Sequence, residues 1–297
     1  MLGLVALLGF PAATLAVAEG DTPSSWQITA YEVGAKVDGG GTTAVRIDLD
    51  FDFSEDPGHG PYVTLPLRQR IADDPDHWRM LDVTVGAVSS SSGANAEVLT
   101  KEQDGNLLIR IGNENRTFTG VQHYTINYTI RGLIAPNQAA SGLDEFNWNA
   151  VGDAWEVPLN DVSVTVTGPV DMRRVACWTG DGYSTPCDEA AQDGMNAHFS
   201  EPYLSKGTPL QVVAGFPAGT FTGADARLEK RYHIGNMFPV TPLTGGLTAA
   251  LSVLGLADRR RRTRRGARDE VYLGMTPGVI PTHGQPVNVG RGVIDAP

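Results

Sequence analysis

A hydrophobic period of two, repeated along most of the chain, restricts the fold more than any other feature. Val45, Ile47, Leu49, Phe51 and Phe53 alternate with Arg46, Asp48, Asp50 and Asp52, the pattern of a strand with one buried and one wet face. Tyr124, Ile126, Tyr128 and Ile130 alternate in the same way with Thr125, Asn127, Thr129 and Arg131, and Val162, Val164 and Val166 with Ser163, Thr165 and Thr167. Leu107, Ile109 and Ile111 give a shorter case, and weaker strand candidates cover 26–37, 62–70, 80–88, 171–178 and 209–216. Turn formers punctuate them at 39–41, Asp56-Pro-Gly, 89–93, Asp104-Gly, Ala135-Pro-Asn and Asp181-Gly, as strand boundaries require. Many short strands with almost no helical period predict an all-β fold, an antiparallel β-sandwich. It is expected to occupy residues 19–217 as one extracytoplasmic domain.

The ends of the chain have a different texture. Leu243 to Ala257 carries no charge and runs directly into Asp258 and a block with six arginines in the seven positions 259–265. Apolar residues followed by retained arginines form the pattern of a stop-transfer segment, with the basic side cytoplasmic. The expectation is a connector over 218–238, one short transmembrane helix over 239–257, and a disordered, basic, Pro/Gly-rich cytoplasmic tail over 258–297. From Val240 to Ala257 a helix would extend about 27 Å, at the short limit for a hydrocarbon core of about 30 Å. A soluble core helix is the competing reading, and the arginine block argues against it. Residues 1–18 close on Leu15-Ala-Val-Ala18 and are expected to be a signal peptide, although the first basic residue is Lys36.

Charge is divided along the chain. Positions 258–297 hold eight arginines against four acids, which leaves 15 of the 23 basic and 30 of the 34 acidic residues in the first 257. An acidic surface repels phosphodiesters, so no nucleic-acid partner is expected; the lipid bilayer is the expected partner of the basic end. Cys177 and Cys187 are the only cysteines and enclose a loop full of turn formers. In an oxidising compartment they would close a small disulfide loop, contributing about 2–3 kcal/mol; in the cytoplasm they would be two free thiols. The six histidines show no metal spacing and there is no Gly-x-Ser-x-Gly elbow, so no catalytic residue, metal or cofactor is assigned. Asp48, Asp50 and Asp52 lie along one strand face, too far apart in a straight row to close a calcium shell unaided.

Candidate binding residues lie in two places. Trp148 and Trp155, with Asn147, Asn149 and Asp153 interleaved, have the composition of a carbohydrate platform in which rings cover sugar faces and amides take hydroxyls. The alternative is a pair of buried tryptophans plugging the core. His59, flanked by Gly58 and Gly60, sits where the backbone can turn sharply and present the ring, either to a ligand or to its own loop.

Several segments taken together resemble a bacterial family, common in actinobacteria, of predicted membrane proteins with an N-terminal domain of unknown function (family number 2207). They are His59-Gly-Pro-Tyr62, Tyr124 to Arg131, Asn147-Trp-Asn-Ala-Val-Gly-Asp-Ala-Trp155, the Cys177 to Cys187 loop, and Arg268-Asp-Glu-Val-Tyr-Leu-Gly-Met-Thr-Pro-Gly278. The resemblance implies an exported β-domain, a membrane helix and a cytoplasmic part, and it brings no activity. The leading expectation is a single-pass envelope protein, β-domain outside, that binds an envelope protein or a cell-wall partner. The alternatives are a glycan-binding or glycan-processing module centred on Trp148 and Trp155, and a structural subunit of a membrane assembly.

Overall fold

The computed structural model describes residues 22–71, 74–237 and 241–273. The expected signal peptide therefore lies outside the described residues. The chain divides into two compact units, the first reaching Arg231 and the second starting at Tyr232.

The first unit is made of strands. In chain order these are β1 (Gln27–Val37), β2 (Thr43–Asp52), β3 (Tyr62–Pro66), β4 (Arg68–Ile71), β5 (Asp74–Met80), β6 (Asp82–Ser90), β7 (Val98–Gln103), β8 (Asn106–Ile111) and β9 (Val121–Arg131). There follow β10 (Ile134–Ala135), β11 (Leu143–Val151), β12 (Leu159–Thr167), β13 (Arg174–Thr179), β14 (Thr185–Pro186), β15 (Glu189–Asp193), β16 (Asn196–Leu204), β17 (Leu210–Pro217) and β18 (Leu228–Lys230). They form a seven-stranded sheet, β15-β16-β12-β1-β2-β9-β6, a five-stranded sheet, β10-β11-β17-β13-β14, and two three-stranded sheets, β18-β5-β4 and β3-β8-β7. The mostly β character read from the sequence is present.

Period two decides which residues are inside. On β2 the buried residues are Thr43, Val45, Ile47, Leu49 and Phe51, on β9 Tyr124, Ile126, Tyr128 and Ile130, and on β12 Leu159, Val162, Val164 and Val166. Phe146, Trp148 and Ala150 of β11 and Val212, Ala214 and Phe216 of β17 join the apolar ones in one continuous cluster. Each valine, leucine, isoleucine or phenylalanine among them, fully removed from water, contributes about 1.5–3 kcal/mol. Cys177 and Cys187 form the expected disulfide, and the intervening chain folds back so that β13 pairs with β14.

Two expectations are corrected. The seven-stranded sheet is mixed, because β1 runs parallel to β12; the long chain excursion between them allows a crossover that a hairpin would not. Within the expected connector over 218–238, Leu228–Lys230 form β18, paired with β5. The arginine block is not a disordered tail throughout.

In the second unit a single turn, α1 (Ile234–Met237), precedes a helix, α2 (Pro242–Leu273), that passes through Asp258 and the arginines without a break. Arginine, alanine and leucine are good helix formers, and Arg262 pairs with Asp258 one turn earlier at 2.7 Å. Among the described residues no helix is long and apolar enough to cross a membrane; membrane-crossing strands are a separate matter.

Candidate binding site

Strand alternation separates the two halves of the proposed carbohydrate platform. Phe146, Trp148 and Ala150 point from β11 into the core, with Trp148 4 % exposed, while Asn147 and Asn149 occupy the opposite face. Asn147 accepts a hydrogen bond from Gln211 Nε2 at 3.0 Å, and Asn149 donates to the Tyr183 hydroxyl at 2.6 Å. Trp155 is 9 % exposed and meets the Tyr31 ring edge-on, with centroids 5.9 Å apart. Asp153 is exposed in the turn beyond β11. Neither tryptophan presents a ring face to solvent, so the platform expectation is replaced by a core role. Asp144, at the start of the same strand, is the one carboxylate among the buried described residues; it accepts from the backbone N–H groups of Asn137 (2.8 Å) and Phe221 (3.2 Å).

His59 is exposed, and its Nδ1–H points at the carbonyl oxygens of Arg116 (2.9 Å) and Asn113 (3.2 Å). The ring thus ties its own loop to the turn after β8. It does not join the tryptophans, and the six candidate residues do not converge on one place.

What the structure does assemble is the open face of the seven-stranded sheet. Because the core takes one side of β12, β1, β2 and β9, the other side displays their alternate residues in rows set by strand register. One row runs Thr167, Lys36, Ala44, Thr129, Thr84, and the next runs His198, Thr165, Gly34, Arg46, Asn127. Small residues at the centre leave a trough of about 450 Å³, lined by Gly34, Lys36, Ala44, Arg46, Asn127 and Thr165 among others. A Cβ placed on Gly34 would meet nothing within 4 Å, so this glycine is floor rather than packing. Gly86 abuts the Asn127 carbonyl at the bulge in β6.

The cations of the trough differ. Arg46 is held by both oxygens of Asp48, at 2.6 and 2.8 Å, whereas Lys36 has no ion-pair or hydrogen-bond partner among the described residues. Beyond Arg46 the face turns acidic: Thr125 donates to Asp48 at 2.6 Å, and His123 Nδ1 lies 2.6 Å from Asp50. Partial burial would raise the Asp48 carboxyl, but the hydrogen bonds from Arg46 and Thr125 and the Arg46 charge outweigh it and hold the group below the usual aspartate range. Among the described residues no group of three or more His, Cys, Asp or Glu could hold a metal ion. Sequence reading noted the acids of this row as a solvated face. It missed the trough, whose signal is the set of small residues, Gly34, Ala44 and Gly86, on three strands of one sheet.

The geometry is that of a β-rich unit whose seven-stranded sheet has one face packed and one open. The chain belongs to the family described as predicted membrane protein (DUF2207) N-terminal domain, matched over residues 27–216. No curated protein matches it. Among solved structures it is similar to an M1 zinc metallopeptidase from Deinococcus radiodurans, at 11% identity over 63% of this chain and 42% of that one, with a TM-score of 0.34. It is likewise similar to native yeast LTA4 hydrolase, at 9% identity over 65% of this chain and 29% of that one, with a TM-score of 0.40. The chain spans less than half the length of either, and likenesses this distant carry no argument about activity.

Proposed function

We propose that the protein is a membrane-attached envelope protein whose β unit, two main sheets closed face to face as a sandwich, works by binding a cell-wall polymer rich in hydroxyl groups and bearing anionic groups. The observation that carries this reading is the trough on the open sheet face. Its walls offer Thr84, Thr129, Thr165, Thr167 and Asn127, which both donate and accept hydrogen bonds as a polyol requires. Its floor is glycine and alanine, and Lys36 supplies a positive charge that no neighbouring acid neutralises. A site of this volume lies within the range of ordinary ligand pockets.

Attachment is assigned to the first half of α2. Leu243 to Ala257, fifteen residues, makes about 22 Å of helix, shorter than the bilayer core of about 30 Å. Local thinning of the bilayer and arginines that reach back to the headgroups accommodate such a shortfall. The arginines mark the cytoplasmic side by the positive-inside rule, which places the acidic β unit outside.

The binding test uses the purified full chain in detergent and cell-wall polymer isolated from the envelope. Gly34→Tyr places a ring in the trough at a position where a Cβ meets no atom, and Lys36→Glu reverses the free charge. Both variants are expected to melt like the wild type and to lose at least tenfold in polymer affinity. Unchanged affinity in both would remove the trough as the site.

A further inference from the structure

The outer face of the five-stranded sheet carries a tryptophan of its own. Strand register sets Asn149 of β11 opposite Gln211 of β17, Gln211 opposite Trp178 of β13, and Trp178 opposite Pro186 of β14. Opposed residues of antiparallel strands share a face, so these four form one row. Their neighbours along the strands, Trp148, Val212, Cys177 and Thr179, are buried, which puts the row on the side away from the core. The next row is Asn147, Val213 and Ala176, short at the end beside the indole.

Trp178 is half-buried. Among the described residues its ring stacks on no other ring and no cation, and its indole N–H has no hydrogen-bond acceptor. The amides beside it are each only partly engaged. Asn149 Nδ2 donates to the Tyr183 hydroxyl oxygen at 2.6 Å, and Gln211 Nε2 donates to Asn147 Oδ1 at 3.0 Å. Among the described residues this leaves Asn149 Oδ1 and Gln211 Oε1 as open acceptors, and the Asn147 amide, the Tyr183 O–H and the Trp178 N–H as open donors.

Tyr183 reaches Asn149 from the loop that the Cys177–Cys187 disulfide closes. Its backbone is held at φ +55°, which a bulky side chain adopts only at a cost. Burial pushes the Tyr183 pKa up, the hydrogen bond from Asn149 pulls it down, and the charge of Asp153 pushes it up. Asp153 therefore lies at the edge of the same group.

We propose that this face is a second binding site, separate from the trough, where Trp178 stacks on the apolar face of a neutral sugar ring and Asn147, Asn149, Gln211 and Tyr183 take its hydroxyls. A hydroxyl both donates and accepts, and the open groups of this face do both. An indole covers an apolar ring face with one large, rigid surface and keeps a polar N–H at its edge. No cation stands in the Trp178 row, so the site, unlike the trough, asks for no anionic group on its ligand. With neighbouring strands about 4.8 Å apart, Asn149 and Trp178 are separated by about 10 Å across β17, room for more than one ring of a glycan chain.

The test uses the full-length chain in a detergent without a sugar headgroup and two probes, cellotetraose and the tetramer of N-acetylglucosamine. Binding is followed by tryptophan emission and by its quenching with acrylamide. At least one probe is expected to bind saturably and to shield part of the emission from acrylamide. Trp178→Ala is expected to weaken that binding by about tenfold, through loss of the stacked ring and its covered area. Trp178→Phe keeps a ring in place; it is expected to bind the probe severalfold more weakly and to show no shielding, because the shielded emission is that of Trp178. Comparison of the wild type with Trp178→Phe reads the same contact without relying on Trp178→Ala to fold. The proposal is overturned if the wild type binds neither probe, if Trp178→Ala binds as tightly as the wild type, or if the shielding persists in Trp178→Phe.

Discussion

Trp148→Ala is expected to lower unfolding stability by about 3–5 kcal/mol. The indole is almost wholly enclosed and lies among the apolar residues of β11 and β17, with the Phe146 ring centroid 6.1 Å away. Its removal leaves a cavity that the sheets on either side cannot collapse into without breaking their ladders. Urea unfolding followed by circular dichroism measures the loss. A change within about 0.5 kcal/mol is what an exposed stacking residue would give, and it would return Trp148 to the surface.

A second large effect is expected at a pair of glycines. Gly60 has φ +138° and Gly112 φ +116°, and the two chain segments run so close that a Cβ on Gly60 would strike the Ile111 carbonyl oxygen, and one on Gly112 the His59 carbonyl oxygen. Both obstacles are backbone atoms that cannot turn aside, and both dihedral angles are disfavoured for any residue with a side chain. Gly60→Ala is expected to cost about 2–4 kcal/mol and to release the loop that His59 ties to the turn at 113–116. Thermal melting reads the first effect, and the His59 ring resonances in a proton spectrum read the second. A variant that melts with the wild type would mean that the two backbones do not approach in this way.

How much of this the sequence reveals depends on how strongly each segment alternates. β2, β9 and β12 are legible because over 45–52, 124–131 and 162–167 their apolar and polar residues alternate. The same rule, applied to 146–149, already places Trp148 and its flanking asparagines on opposite faces of a strand, so the carbohydrate platform fails on the periodicity alone. β5 and β18 were hidden because Asp74–Met80 and Leu228–Lys230 have no clean apolar face. They pair across a long sequence separation, in a small sheet whose side chains are mainly charged. The parallel pairing of β1 with β12 leaves no local trace, since strand direction is set by how the intervening chain returns. The trough on the open face needs β1, β2, β9 and β6 in register before Gly34, Ala44 and Gly86 line one surface. The disulfide was legible because only two cysteines exist and the turn formers between them suit a short loop. The break expected at Asp258 was misplaced because charge alone does not end a helix; arginine sustains one.

Family membership and the arginine block both bear on membrane attachment, which decides which side the β unit faces and what polymer it can reach. The most direct measurement is extraction of the full-length chain from isolated membranes. The chain is expected to stay in the pellet through an alkaline carbonate wash and to pass into solution only with detergent. Its release into the carbonate supernatant would contradict the attachment, and with it the placement of the open sheet face against the cell wall.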